Sequence, residues 1–126
     1  MFRKTAFAVA MAASVFSATA ARAHPKLNSA TPAADSAVAA PTRIQLVFSE
    51  AIVAQFSGLD LTMTEMPGMK MGPMKMNGVN ETVAADGKTL VAALAKPLPV
   101  GTYRLEYHVV SADSHRIQDS YTFKVQ

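Results

Sequence analysis

With 126 residues, no cysteine and a formal charge of +3, the chain is sized for one domain and can build neither a disulfide nor a thiolate metal centre. Its positive excess lies at the N-terminus: Arg3, Lys4 and Arg22 all precede the first acidic residue, Asp35, and from residue 24 onward nine Lys/Arg face nine Asp/Glu. That balance, with no basic stripe along the chain, excludes a nucleic-acid partner.

Arg3 and Lys4 open a basic start, Thr5 to Ala20 is an almost uncharged run rich in Ala, Val and Phe, and Ala21-Arg22-Ala23 is a small-x-small cleavage signature. This is the pattern of a secretory signal peptide. The run falls short of a membrane span and no second such segment follows. The expectation is a leader over residues 1–23 and an exported domain over residues 24–126 that begins at His24 and does not itself span a membrane.

From His24 to Pro41 small residues and prolines predict an extended edge segment followed by a loop, with Leu27 as an inward anchor. Arg43 to Ser49 alternates, placing Ile44, Leu46 and Phe48 on one face, and Glu50 follows at the strand end. Gly58 to Thr64 alternates again, with Leu59, Leu61 and Met63 inward. Asn77-Gly78 and Asp86-Gly87 are turn signals that bracket a short strand, and Thr89 to Leu94 forms another. After the turn Pro97 to Gly101, Thr102 to Val110 sets Tyr103, Leu105, Tyr107 and Val109 against Arg104, Glu106 and a surface His108. Ser111 to Arg116 is polar, and Tyr121, Phe123 and Val125 face inward on a closing strand. Six or seven short strands, regularly spaced and with no helical pattern after residue 23, predict an antiparallel β-sandwich or Greek-key barrel.

Between Met63 and Met76 the chain reads M-T-E-M-P-G-M-K-M-G-P-M-K-M, and six of its eight methionines fall in these fourteen residues. Pro67, Gly68, Gly72 and Pro73 interrupt the segment, so it is expected to be a loop rather than a strand. Lys70 and Lys75 mark it as facing solvent. Thioether sulfur is a soft, uncharged ligand that suits Cu(I) and needs no deprotonation, whereas a cysteine outside the cytoplasm would compete with disulfide formation. Met66, Met69, Met71 and Met74 are the stronger candidates; Met63 is shared with the core, and Met76 stays open.

A second, harder donor set lies elsewhere. At a mature N-terminus His24 offers its amine and imidazole as a chelating pair suited to Cu(II), and Pro25 lacks the N–H that would make the next peptide nitrogen a ligand. Asp113 and His115, spaced Asp-x-His, project to the same side of an extended segment.

Taken together the chain resembles the CopC/PcoC family of periplasmic copper-resistance proteins. The resemblance rests on H-P-K-L at His24, I-Q-L-V-F-S-E at Ile44 to Glu50, Q-F-S-G-L-D-L-T-M-T-E-M-P-G-M at Gln55 to Met69 and Pro73-Met74. Downstream it continues through L-P-V-G-T-Y-R at Leu98 to Arg104, V-S-A-D-S-H at Val110 to His115 and Y-T-F-K-V at Tyr121 to Val125. It implies a cupredoxin-like Greek-key β-barrel of about seven antiparallel strands. It also implies a Cu(II) site at His24, Asp113 and His115, approached by Glu50, and a Cu(I) site drawn from Met63, Met66, Met69 and Met74. Two positions depart from the family pattern: Met71 stands where a histidine is expected, which makes the soft set all-thioether, and Arg116 stands where proline is common.

The leading expectation is a non-enzymatic periplasmic copper carrier or buffer serving copper resistance, homeostasis or transfer, with an inner-membrane copper transporter or another periplasmic copper protein as partner. Two alternatives are a histidine-brace copper oxygenase built on His24 and His115, and a module that binds a protein through its methionines. Against the oxygenase stand the short chain, the lack of tryptophan and Asp113 in a position that oxygen would need.

Overall fold

The computed structural model describes residues 25–126; His24 and the expected leader lie outside the described residues, as do the side chains of Lys70 and Met71. Nine strands make up the described chain: β1 (Leu27–Thr31), β2 (Ala37–Val38), β3 (Arg43–Phe48), β4 (Gly58–Met66), β5 (Met69–Lys75), β6 (Val79–Val83), β7 (Thr89–Leu94), β8 (Gly101–Val110) and β9 (Arg116–Val125). A 3-10 turn at Ala54–Phe56 lies in the connection between β3 and β4, and no helix among the described residues is long and apolar enough to cross a membrane. The strands pair as two sheets, ordered β1-β3-β7-β6 and β2-β9-β8-β4-β5. The all-β expectation holds, with two additions: the small-residue stretch after Thr31 contributes the short β2, and β2 runs parallel to β9.

Period-two alternation decides which side chains meet between the sheets. β3 contributes Ile44, Leu46 and Phe48; β4 contributes Leu59, Leu61 and Met63; β8 contributes Tyr103, Leu105, Tyr107 and Val109; β9 contributes Phe123 and Val125, all buried. Each such side chain contributes about 1.5–3 kcal/mol by leaving water. Phe48 and Tyr107 meet edge to face across the two sheets with ring centroids 5.6 Å apart, while Tyr103 stacks on Phe123 within one sheet at 5.5 Å. The Tyr103 hydroxyl donates to the Pro99 carbonyl at 2.6 Å, and burial pushes its pKa up to about 12.

The methionine segment is where the expectation fails. It is not a loop but a β-hairpin: β4 and β5 pair antiparallel around the two-residue turn Pro67-Gly68, with Met66 opposite Met69 and Met63 opposite Met74. Proline followed by Gly68 at φ +73° is the combination a type II turn requires. Pro73 is tolerated because β5 is the edge of its sheet, so the missing N–H breaks no ladder beyond it.

β8 is flanked on both sides, by β4 and β9. Its Gly101 end lies beside the methionine hairpin, where Thr102 pairs with Glu65, and its Val110 end runs directly into the 111–115 loop.

Candidate metal centres

In a regular strand residues three apart face opposite sides, so methionines at 63 and 66 should diverge, as should those at 69 and 74. They do not, because the register of β4 shifts between Met63 and Glu65. Met63 pairs with Tyr103 and Glu65 with the adjacent Thr102, so Thr64 is an extra residue opposite a single step of β8. Such a bulge inverts the alternation and returns Met66 to the face of Met63. Met69 and Met74, opposite Met66 and Met63, share that face by pairing, and each pair has Cβ atoms about 5 Å apart.

Exposure then sorts the group. Met63 is 1% exposed and packs in the core, while Met66 (41%), Met69 (62%) and Met74 (44%) project beyond it to solvent. Met76 is half-buried against the core, and its N–H donates to the Leu61 carbonyl at 2.8 Å. The backbone of Met71 belongs to β5, but its side chain lies outside the described residues. Lys75 is paired with Asp60 at 3.2 Å on the outer face, so its charge is directed to a carboxylate.

Gly101 makes the bulge possible. A Cβ placed there would stand 2.5 Å from the Glu65 carbonyl oxygen and 3.4 Å from the Met63 terminal methyl. Only glycine lets the bulged backbone approach β8 so closely.

The harder donors gather at the other end of β8. Ser111 is fully buried, and the loop closes on it: its N–H donates to the His115 carbonyl at 2.8 Å, and the Ser114 N–H donates to its carbonyl at 2.9 Å. Ser114 takes a left-handed φ of 72° to make this turn. Asp113 Oδ2 meets His115 Nδ1 at 2.8 Å, and Asp113 Oδ1 accepts from the Ser111 hydroxyl. These hydrogen bonds, Ser111 first and His115 second, hold the Asp113 carboxyl down at about 2. It is a carboxylate at any ordinary pH.

Neighbouring segments arrive at the same end. The Ala112 N–H donates to the Ala51 carbonyl at 3.1 Å, which places Glu50 next in sequence to this loop's anchor. The Lys26 N–H donates to Ser49 Oγ and the Ser49 N–H returns to the Lys26 carbonyl, both at 2.8 Å, while Pro25 is fully buried. The described chain therefore starts beside Glu50. The structure joins Asp113 to His115 directly and brings Glu50 to the same end, but no three His, Asp or Glu side chains among the described residues converge closely enough to hold a metal. His24, expected to belong to the same set, lies outside the described residues.

His108 lies on the outward face as expected, yet it is half-buried rather than solvated. Its Cε1 would lie 3.2 Å from a Cβ at Gly58, where the Glu81 carboxylate also reaches across from the other sheet to accept the Leu59 N–H at 3.0 Å. Three residues that shape the two centres escape a reading of the sequence: Thr64 and Gly101, which set the bulge, and Ser111. Only Ser111 carried a local signal, its place two residues before Asp113.

An all-β sandwich with thioethers at one end and a carboxylate-imidazole pair at the other defines a class of cupredoxin-like metal-binding domains. The CopC domain matches residues 27–126. Copper resistance protein C of Pseudomonas syringae pv. tomato is 45% identical over 126 residues, covering 100% of this chain and 99% of that protein. Copper resistance protein C of Escherichia coli is 48% identical over 106 residues, covering 84% of each. The crystal structure of PcoC, a methionine-rich copper resistance protein from Escherichia coli, superposes with a TM-score of 0.75 at 48% identity, over 82% of this chain and 100% of that one. The chain belongs to the CopC family.

Proposed function

We propose that the protein is a non-enzymatic copper carrier of the periplasm, exported by cleavage of residues 1–23, that binds copper in two oxidation states at two separate places. Cu(I) binds at the methionine hairpin through Met66, Met69, Met71 and Met74, with Met63 as the link to the core. Cu(II) binds at the amine and imidazole of His24 with Asp113 and His115, and Glu50 nearby. The names of the relatives support a role in copper resistance, and an inner-membrane copper transporter or another periplasmic copper protein would receive or deliver the ion.

The observation that carries this reading is the hairpin. A bulge that gathers odd-spaced methionines on one face, three of them exposed, serves no core, since exposed thioethers add nothing to packing. Thioethers match Cu(I), and imidazole, amine and carboxylate match Cu(II).

The test is separate titration with Cu(I) and Cu(II) of the exported protein and of a variant with one extra residue before His24. The extension should abolish tight Cu(II) binding and leave Cu(I) binding intact. Tight Cu(II) binding that survives the extension would refute the N-terminal chelate. Retention of Cu(I) affinity after Met66, Met69 and Met74 are all changed to Leu would refute the hairpin site.

A further inference from the structure

Ser111 is a small polar side chain with almost no access to solvent, placed where the last residue of β8 gives way to the loop. A buried hydroxyl needs partners, and all of those seen for Ser111 belong to the Asp-x-His motif. Its O–H donates to Asp113 Oδ1, and its oxygen accepts the His115 N–H at 3.2 Å. The same His115 N–H lies 3.4 Å from Asp113 Oδ1, so one hydroxyl, one carboxylate oxygen and one amide form a closed triangle. The second carboxylate oxygen, Oδ2, is thereby turned onto His115 Nδ1 at 2.8 Å.

The base of this triangle is rigid. Ile52 bridges to Ser111, the Val53 N–H donates to the Val110 carbonyl at 2.8 Å, and the Val110 N–H donates to Ser57 Oγ at 3.2 Å. Ser111 is thus fixed to the sheet, while Asp113 and His115, both partly exposed, are fixed to Ser111.

We infer that Ser111 is a positioning residue of the Cu(II) centre: its hydroxyl locks one oxygen of Asp113 and so sets both the carboxylate and the His115 ring before the ion arrives. The inference rests on the reading of Asp113 and His115 as the hard site. Ser111 itself does not bind the metal. Its contribution is the outer-shell orientation whose removal typically weakens a metal site by about 10-fold or more.

The experiment is a double-mutant cycle on the exported protein, titrated with Cu(II) alone and read by affinity and by the Cu(II) electron paramagnetic resonance spectrum. Ser111→Ala is expected to weaken Cu(II) binding about 10-fold and to change the copper hyperfine splitting, while Cu(I) affinity at the hairpin is unchanged and reports an intact fold. In an Asp113→Asn background, Ser111→Ala is expected to change Cu(II) affinity no further, because its effect passes through that carboxylate. Ser111→Ala that leaves affinity and spectrum at wild-type values, while Asp113→Asn alters both, would overturn the inference alone. An equal loss in both backgrounds would also overturn it, since that is the signature of general loosening. Should Asp113→Asn by itself leave Cu(II) binding unaltered, the hard-site reading falls and takes the inference with it.

Discussion

Single carboxylates show how much local structure one residue can hold. Asp86 accepts from the Lys88 and Thr89 N–H groups at 2.9 and 3.0 Å and from the Thr89 hydroxyl at 2.8 Å, closing the turn before β7. These bonds, the Lys88 amide foremost, hold its carboxyl below the usual value of 3.8. The stabilisation is therefore complete above pH 3.8 and is lost as pH falls through the lower folded value. Asp86→Asn should lower the melting temperature at neutral pH and flatten its decline on acidification below about pH 4, measured by thermal unfolding across pH. At the proposed Cu(I) site a different residue would govern the acid response. Sulfur binds without losing a proton, so Cu(I) affinity at the hairpin should be flat between pH 5 and 8. Met71→His should make it fall below about pH 6.5, where imidazole protonates, as seen by competition with a Cu(I) chelator.

At the level of elements, the bulge in β4 determines which methionines share a face. Gly101→Ala would drive a methyl group into the Glu65 carbonyl, and backbone cannot yield as a flexible side chain does. The expected result is a loss of about 1–3 kcal/mol in chemical denaturation, with weakened Cu(I) binding and unchanged Cu(II) binding. This element also marks the boundary of what the sequence disclosed. The inward faces of β3, β8 and β9 follow from alternation alone, because each has one buried side and no Gly or Pro in its interior. The candidate donors were equally plain, since clustered thioethers and an Asp-x-His spacing are chemical facts of the chain. The hairpin was hidden because Gly72 and Pro73 argue against a strand unless it is known to be an edge. β2, two residues long, has no period to read. The bulge at Thr64 exists only in relation to the register with β8, and a small serine in a polar loop reveals its burial only when Ile52 is brought across it.

Across the whole molecule, the two proposed centres fall on separate structural units, the methionine hairpin and the Asp-x-His loop, at opposite ends of β8. Copper at one should leave affinity at the other unchanged within about twofold, since sites with no shared partners add rather than couple; titrating Cu(II) into protein already loaded with Cu(I) checks this. What separates them is β8. From Thr102, level with the hairpin, to Ser111, at the base of the Asp-x-His loop, the strand spans about 30 Å at about 3.3 Å per residue. If the two ends hold copper as proposed, an ion that gains or loses an electron acquires a preference for a destination it cannot reach by sliding from ligand to ligand. It must detach and be caught again, by the far end of the same chain, by another copy or by a different protein. Oxidation of the Cu(I)-loaded form by an added one-electron oxidant should therefore fill the proposed Cu(II) centre in a step separate from and slower than the oxidation itself, which stopped-flow absorbance can follow. The length of a strand then acts as a kinetic setting, making a change of oxidation state an event of release.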